Sequence, residues 1–207
     1  MAVYEVDIGP LSQGHSYTTV LRYESEPIVR IPISAITCPV GAARIATTIP
    51  HGMLDGWRGT VVNVQQPKEI NAEDANKIRP TEYHSATVID PSTVEFNDFN
   101  IADLKPYTTD GFLQYNTPAD LTGIEIRVRL KTKKGGTLLA SNLAADAPLN
   151  VLVTAIDLVK KTITLTFPVA ATQLLAGRTG WYDIEAASSD GLTVTPLVSG
   201  KFTVEKE

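Results

Sequence analysis

The sequence predicts an all-β protein, a β-sandwich that is interrupted by a small inserted β-barrel. Its hydrophobic residues recur with a period of two, and turn-forming residues separate the runs at short spacing. Many short strands punctuated in this way are typical of sandwiches and barrels rather than of alternating strands and helices. A third observation is that two matching strands lie far apart along the chain, which indicates an insertion.

The clearest alternation is in "GIEIRVRLKT", where Ile124, Ile126, Val128 and Leu130 alternate with charged residues. Successive strand side chains point to opposite faces, so this run predicts a strand with one buried and one wet face. The runs "YTTVLRY", "TITLTF" and "GKFTVEKE" repeat the pattern. The residues that share one face in these runs are Tyr17, Thr19, Leu21 and Tyr23, then Ile163, Leu165 and Phe167, and finally Phe202 and Val204.

Local signals predict the turns and two short helices. "SSDGLTV" predicts a tight hairpin, because Asp190-Gly191 can adopt the positive φ that such turns require. "PVAATQLLAG" predicts a helix with Pro168 in its first turn and Gly177 at its end. "NAEDANKI" predicts one or two helical turns capped by Asn71.

The insertion is argued from strand pairing. "YTTVLRY" has a natural hairpin partner in "DLTGIEIRVRLKT", but about ninety residues separate them, too many for a structureless connection. The intervening stretch has strand-like runs of its own, "ARIATTI", "GTVVNV", "SATVID" and "TVEFND". We therefore expect a discontinuous sandwich of residues 1–31 and 115–207, with a barrel of residues 32–114 inserted in its first hairpin.

Composition argues against several classes of partner. The formal net charge is -5, with one short basic run in "RLKTKKGG", so neither nucleic acid nor an anionic membrane is expected. No apolar segment is long enough to cross a bilayer, and the N-terminus lacks the pattern of a secretory signal. Cys38 is the only cysteine, which excludes an internal disulfide and suits a reducing compartment.

The segment "IPHGMLDGWRGTVV" places His51, Asp55, Trp57 and Arg58 close together. Histidine is a common general base, but no nucleophile stands nearby in a recognised arrangement. The other interpretation is a turn whose imidazole bonds a neighbouring backbone carbonyl, and we expect this one, with no catalytic residue. The histidines are scattered and no phosphate loop or calcium-loop spacing is present, so neither a cofactor nor a metal is expected.

Three residues are candidate partner contacts: Trp57, Arg58 and Trp181. Trp181 and Tyr182 are adjacent on a predicted strand and therefore face opposite ways. We expect Tyr182 in the core and Trp181 at the surface or in an interface. Trp57 either caps the barrel or contacts a neighbouring subunit.

Two long segments carry a resemblance to a known family. "DLTGIEIRVRLKTKKGGTLLA" and "KTITLTFPVAATQLLAGRTGWYDIEAASSDGLTVTPLVSGKFTVEKE" resemble an immunoglobulin-like domain of tailed-bacteriophage structural proteins, similar to the N-terminal domain of phage baseplate upper proteins. The inserted runs "ISAIT", "ARIATTIPHGMLDGWRGTVVNV", "YHSATVIDPSTVEFNDFN" and "YTTDGFLQY" resemble a small β-barrel of phage virion proteins. That barrel is similar to an insertion domain of ubiquitin-activating enzymes. The chain departs from the barrel pattern at Asp110-Gly111, where paired glycines are expected, and in the longer loop "NAEDANKIRPTEY".

The resemblance implies a non-enzymatic structural component of a tailed-phage virion, made in the host cytoplasm. As an adaptor in the tail, baseplate or neck, it would assemble as symmetric copies, contact other virion proteins and anchor fibres. "MAVYEVDIGPL" is then a candidate arm that becomes ordered on assembly. The alternative is a receptor-binding module of the phage tail that recognises host-surface glycan through Trp57 or Trp181. An enzyme, such as a glycosidase with two facing carboxylates, comes third.

Overall fold

A computed structural model of the chain describes residue 8, residues 10–39 and residues 41–206. This part of the chain is all-β, with one short α-helix. It divides into two compact units, Met1–Glu24 with Pro118–Glu207, and Ser25–Thr117. The barrel was expected at residues 32–114, whereas the second unit runs from residue 25 to residue 117. Most of the candidate arm, residues 1–7 and 9, lies outside the described residues.

The strands are numbered in chain order. They are β1 (Leu11–Ser12), β2 (Tyr17–Arg22), β3 (Glu24–Thr37), β4 (Ala42–Thr47), β5 (Arg58–Val62), β6 (His84–Asp90), β7 (Thr93–Asn100), β8 (Phe112–Pro118), β9 (Ile124–Lys131), β10 (Leu138–Ser141), β11 (Val153–Asp157), β12 (Thr162–Phe167), β13 (Thr179–Ser188) and β14 (Val194–Glu205). The helix α1 (Val169–Leu174) lies between β12 and β13, and short 3-10 turns occupy Lys68–Ile70, Pro80–Glu82 and Ala144–Asp146.

The first unit is a sandwich of two sheets. A five-stranded sheet has the order β1-β14-β13-β9-β10, and a three-stranded sheet has the order β11-β12-β2. Both sheets contribute side chains to one hydrophobic core, among them Leu21, Val128, Ile163 and Phe202. The alternation predicted for β9 and β12 is confirmed, because every second residue is apolar and buried from Ile126 onward in β9 and throughout β12. Ile124, at the start of β9, is partly buried.

The hairpin expected between "YTTVLRY" and "GIEIRVRLKT" is not formed, and that prediction was wrong. β2 pairs with β12, with Leu21 opposite Ile163, whereas β9 pairs with β10 and β13. β2 and β9 face the same core from opposite sheets, so their matching apolar patterns reflect a shared core rather than a shared ladder. The second unit is therefore inserted between strands of different sheets.

Three local predictions are corrected by the dihedral angles and hydrogen bonds of the structure. Pro168 precedes α1 as its N-cap residue, and the helix ends at Leu174, ahead of Gly177 with its φ of +69°. No helix forms at residues 71–78, because the Asn71 amide bonds both backbone groups of Val64: Nδ2–H donates to the carbonyl and Oδ1 accepts from the N–H, each at 2.8 Å. The β13–β14 turn is wider than predicted, since Ser188 N–H donates to the carbonyl of Thr193.

The second unit is a closed barrel with the strand order β3-β4-β7-β6-β5-β8. All four runs that predicted strands here form strands, at β4, β5, β6 and β7. Closing a sheet into a barrel pairs its edge strands with each other and leaves no open edge. The interior includes Ile45, Val61, Val94, Phe96 and Leu113, each inaccessible to solvent.

Asn142 joins the two sheets of the sandwich just beyond the end of β10. Its Oδ1 accepts from Val128 N–H at 2.7 Å, and its Nδ2–H donates to the Ile126 carbonyl at 2.6 Å. The same amide also contacts the Thr154 hydroxyl on β11 at 2.9 Å. One side chain thus extends the ladder on β9 and connects it to the opposite sheet.

Candidate functional sites

The polar loop around His51 is a structural turn of the barrel. His51 is 2% exposed, its Nδ1 accepts from Met53 N–H at 3.0 Å, and its Nε2–H donates to the Asp90 carbonyl at 3.0 Å. An Nδ1 that accepts from a backbone N–H carries no proton, so the ring is the Nε2–H tautomer with both nitrogens occupied. Tyr115 adds a hydroxyl hydrogen bond to the His51 carbonyl at 2.6 Å. In this structure the ring therefore has no nitrogen left to accept a proton from a substrate.

Trp57 belongs to the barrel core. Its side chain is 1% exposed, and its indole N–H donates to the Asn116 carbonyl at 2.9 Å. Of the two alternatives stated for this residue, the structure has the one in which it fills the barrel. The ring is therefore not available as a surface contact. Burial of its large apolar area is favourable here, because the indole N–H keeps a hydrogen-bond partner.

Arg58 follows Trp57 on β5 and is half-buried. Its guanidinium carbon lies 4.5 Å from the centroid of the Tyr83 ring, a cation–π geometry.

The glycines of the loop have different roles. Gly52 and Gly56 have positive φ values of +66° and +72°, whereas Gly59 lacks space for a side chain, since a Cβ there would lie 2.6 Å from Met53 Cε.

Trp181 is half-buried on the outer face of the five-stranded sheet, and Tyr182 beside it is buried at 1% exposure, as predicted. Lys131 on β9 and Lys201 on β14 are its direct neighbours in register, so the three residues form one row across three strands. The Trp181 indole N–H donates to Asp183 at 3.0 Å, and Lys131 Nζ binds the same carboxylate at 2.8 Å.

The β9–β10 loop adds two lysines beside this row. Lys134 Nζ lies 5.8 Å from the centroid of the Trp181 ring, and Lys133 is exposed next to it. The loop is closed by hydrogen bonds from Thr132 N–H to the Thr137 carbonyl and from Gly136 N–H to the Lys133 carbonyl. We call Lys131, Lys133, Lys134, Trp181 and Lys201 the basic row.

Two hairpin tips expose aliphatic side chains at one end of the sandwich. Val159 in the β11–β12 turn is 83% exposed, and Leu192 in the β13–β14 turn is 86% exposed. Both turns are tied to residues 120–124, by the ion pair of Lys161 with Asp120 at 3.2 Å and by Ser189 N–H to the Gly123 carbonyl at 2.9 Å. Leu158 and Val194 are also exposed there, so we call these four aliphatic residues the apolar tips.

The histidines do not assemble a metal centre. His84 Nδ1 lies 3.1 Å from Asp98 Oδ2, and its ring packs on Phe96 and Phe99. Within residues 10–39 and 41–206, no three His, Cys, Asp or Glu side chains come together to hold a metal ion. In the same part of the chain, no helix is long and apolar enough to span a membrane.

Comparison with known proteins gives no family model and no curated protein that matches this chain.

The register explains which contacts sequence reasoning missed. The basic run "RLKTKKGG" and Trp181 stand some fifty residues apart, and only strand pairing brings them together. The apolar tips carried a weak signal, since "DLVKK" and "DGLTV" place aliphatic residues next to residues that are typical of turns. Turn residues are normally polar, so a Leu or Val at a turn is informative.

Proposed function

We propose that this chain is a non-enzymatic structural component of a tailed-phage virion, an adaptor in the tail, baseplate or neck. The observation that carries the proposal is the solvent exposure of the apolar tips, above all of Val159 and Leu192, at one end of the sandwich. Exposed aliphatic side chains on β-turns favour burial against another protein. The resemblance of both segments to phage structural modules supplies the setting.

The adaptor acts by binding through preformed surfaces. The apolar tips supply contact area, while strand edges and charged rows set orientation, and copies repeated around an axis present the same surfaces to their neighbours. The protein is made in the host cytoplasm and acts in the particle. Anchoring of tail fibres is the adaptor role that such repeated surfaces suit.

The geometry of the polar loop supports a role without chemistry. His51 was the strongest candidate for a general base, and both of its ring nitrogens are engaged with backbone groups.

The alternative of a glycan-binding module relied on Trp57 and Trp181, of which Trp57 lies in the core. A sugar platform usually needs an exposed aromatic face, so the burial of Trp57 favours the adaptor over the receptor-binding module.

Mass spectrometry of intact phage particles from the source tests the proposal directly. The chain is expected among the virion proteins in a stoichiometry that matches the symmetry of the tail. Its absence from purified particles would refute the assignment.

The apolar tips can be tested in the same system. Val159→Asp with Leu192→Asp is expected to remove the chain from particles while the purified protein folds normally, because both sites are exposed. Ile89→Asp, the same replacement of an exposed aliphatic side chain by a carboxylate at a 44% exposed barrel residue, is the control and is expected to be incorporated.

A further inference from the structure

We propose that the outer face of the three-stranded sheet is an interface between two copies of this chain, which are related by a two-fold axis that runs along the strands. This inference rests on the proposed adaptor function, in which symmetric copies associate, and names the surface by which two of them do so.

Strand register determines which side chains share this face. The apolar residues of β12 are buried in the core, so its threonines lie on the opposite side of the sheet. Each threonine has one outward neighbour on β11 and one on β2. Read from β11 through β12 to β2, the rows are Val153-Thr166-Thr18, Ala155-Thr164-Val20 and Asp157-Thr162-Arg22. We call the first two rows the neutral face and the third the charged row.

The neutral face is exposed although it carries no charged side chain. Val153 is 52% exposed and Val20 is 49% exposed. The only side-chain hydrogen bond recorded within these two rows joins the hydroxyl groups of Thr18 and Thr166 at 3.2 Å. Methyl groups therefore make up much of what this face presents to solvent.

The outer face of the five-stranded sheet shows how a solvated face of the same unit is built. Ion pairs join β9 to β13 there, Arg129 with Glu185 at 3.8 Å and Lys131 with Asp183 at 2.8 Å. Charged residues are common on surfaces that stay in water and are depleted at the centres of protein interfaces. The contrast between the two outer faces of one sandwich points to the neutral face as the one that another protein covers.

The register makes this surface complementary to itself. Two sheets that pack face to face keep their strand directions within about 30° of each other. With a two-fold axis along the strands and above Thr164, β11 of each copy lies over β2 of the other. Ala155 then faces Val20, a small side chain against a larger one, and Val153 faces Thr18. Each contact occurs twice, as an isologous interface requires.

The charged row selects this axis over the alternative. Asp157 and Arg22 lie at opposite ends of the row, with Thr162 between them. With the axis along the strands, Asp157 of each copy faces Arg22 of the other, so two contacts between opposite charges form. An axis across the strands would place Asp157 over Val153 and Arg22 over Thr18, and four charges would lie against neutral side chains.

The area of the face determines the strength of the contact. Three strands about 4.8 Å apart, with about six residues each, span about 14 by 20 Å, or about 300 Å² per copy. A standard interface buries about 800 Å² per partner, so two isolated copies associate weakly. Val159, in the turn that follows the charged row, is 83% exposed and extends the contact at the end where both turns lie. A particle that holds many copies strengthens such a contact through their high local concentration.

Cross-linking of the purified full chain tests the interface. Thr164 lies at the axis and faces itself, so Thr164→Cys in a Cys38→Ser background is expected to give a covalent dimer with a short bismaleimide. Thr203→Cys in the same background, at an exposed threonine on the other sheet, is the matched control and is expected to stay monomeric. Absence of a dimer from both variants at every protein concentration would overturn the proposal, as would equal cross-linking of the two.

Charge variants at Thr162 test the axis. With the axis along the strands Thr162 also faces itself, so Thr162→Lys and Thr162→Glu each bring two like charges together. Each is expected to weaken self-association by about tenfold or more in sedimentation velocity, and an equimolar mixture is expected to recover it because opposite charges then meet. The same two proteins are measured alone and mixed, so a folding defect cannot produce the recovery.

Failure of the mixture to recover association would overturn the axis and with it the proposal. The adaptor function is judged separately, by the composition of particles.

Discussion

Replacing His51 by leucine removes both hydrogen bonds of a buried imidazole while preserving most of its volume. Met53 N–H loses its acceptor inside the barrel, and the Asp90 carbonyl loses a donor at a site that solvent partly reaches. An unsatisfied buried donor costs about 1–3 kcal/mol, and a partly exposed carbonyl costs less, so His51→Leu is expected to lower the free energy of unfolding by about 2–4 kcal/mol.

Urea unfolding measures this loss in the second unit. Trp57 emission reports on that unit, and the measurement is made in a Trp181→Phe background so that Trp57 is the only indole. His51→Asn keeps an acceptor near the position of Nδ1 and is expected to fall between the parent and His51→Leu. His15→Leu, at an exposed histidine, is the control and is expected to change stability by about 0.5 kcal/mol at most.

One result would refute the reasoning about this loop. If His51→Leu unfolds within about 0.5 kcal/mol of the parent, the imidazole does not stabilise the turn and its burial needs another explanation.

Three further predictions concern other parts of the chain. Gly111→Ala places a Cβ against Val64 at a φ of +95° and is expected to cost over about 2 kcal/mol by thermal unfolding, against about 1 for Gly135→Ala, whose site is open. The side-chain hydrogen bond of Arg79 lowers the pKa of Glu82 from 4.5 to about 2. Ordering of that loop by the Glu82 carboxylate is therefore fully present above pH 4.5 and lost as the pH falls through 2. Protection factors of the loop amides, taken relative to the intrinsic exchange rate at each pH, should show this dependence in the parent and stay level in Glu82→Gln. Asn142→Ala should lower the free energy of unfolding by about 2–3 kcal/mol, and Asn142→Asp should lose at least as much, because its carboxylate retains the acceptor for Val128 but sets an oxygen against the Ile126 carbonyl.

Strands with one buried and one exposed face were predictable, because the alternation of apolar and polar residues is a property of consecutive positions. "TITLTF" alternates without exception, and its apolar residues are all buried in β12. Strand partners were not predictable in the same way. Leu21 looks the same whether β2 pairs with β9 or faces it across a core, and no local signal separates the two cases.

The candidate contacts illustrate the same limit for side chains. Trp57 follows a glycine turn and precedes an arginine, a polar setting that gave no sign of its burial. Its position in the core depends on the carbonyl of Asn116, on a strand far along the chain, which accepts the indole N–H. Tyr182 was predictable, because strand alternation next to Trp181 is a local property.

The interrupted topology sets an order in which the chain can complete itself during synthesis. Every strand of the barrel lies between Glu24 and Pro118, so the barrel has all of its strands once Pro118 has left the ribosome. β2 must wait for β12, and Leu11 must wait for Val204, because their ladders join the two ends of the sequence. β2 is thus made well before the strand it pairs with. Until β12 has been made, β2 has no native ladder partner and can pair with an incorrect strand.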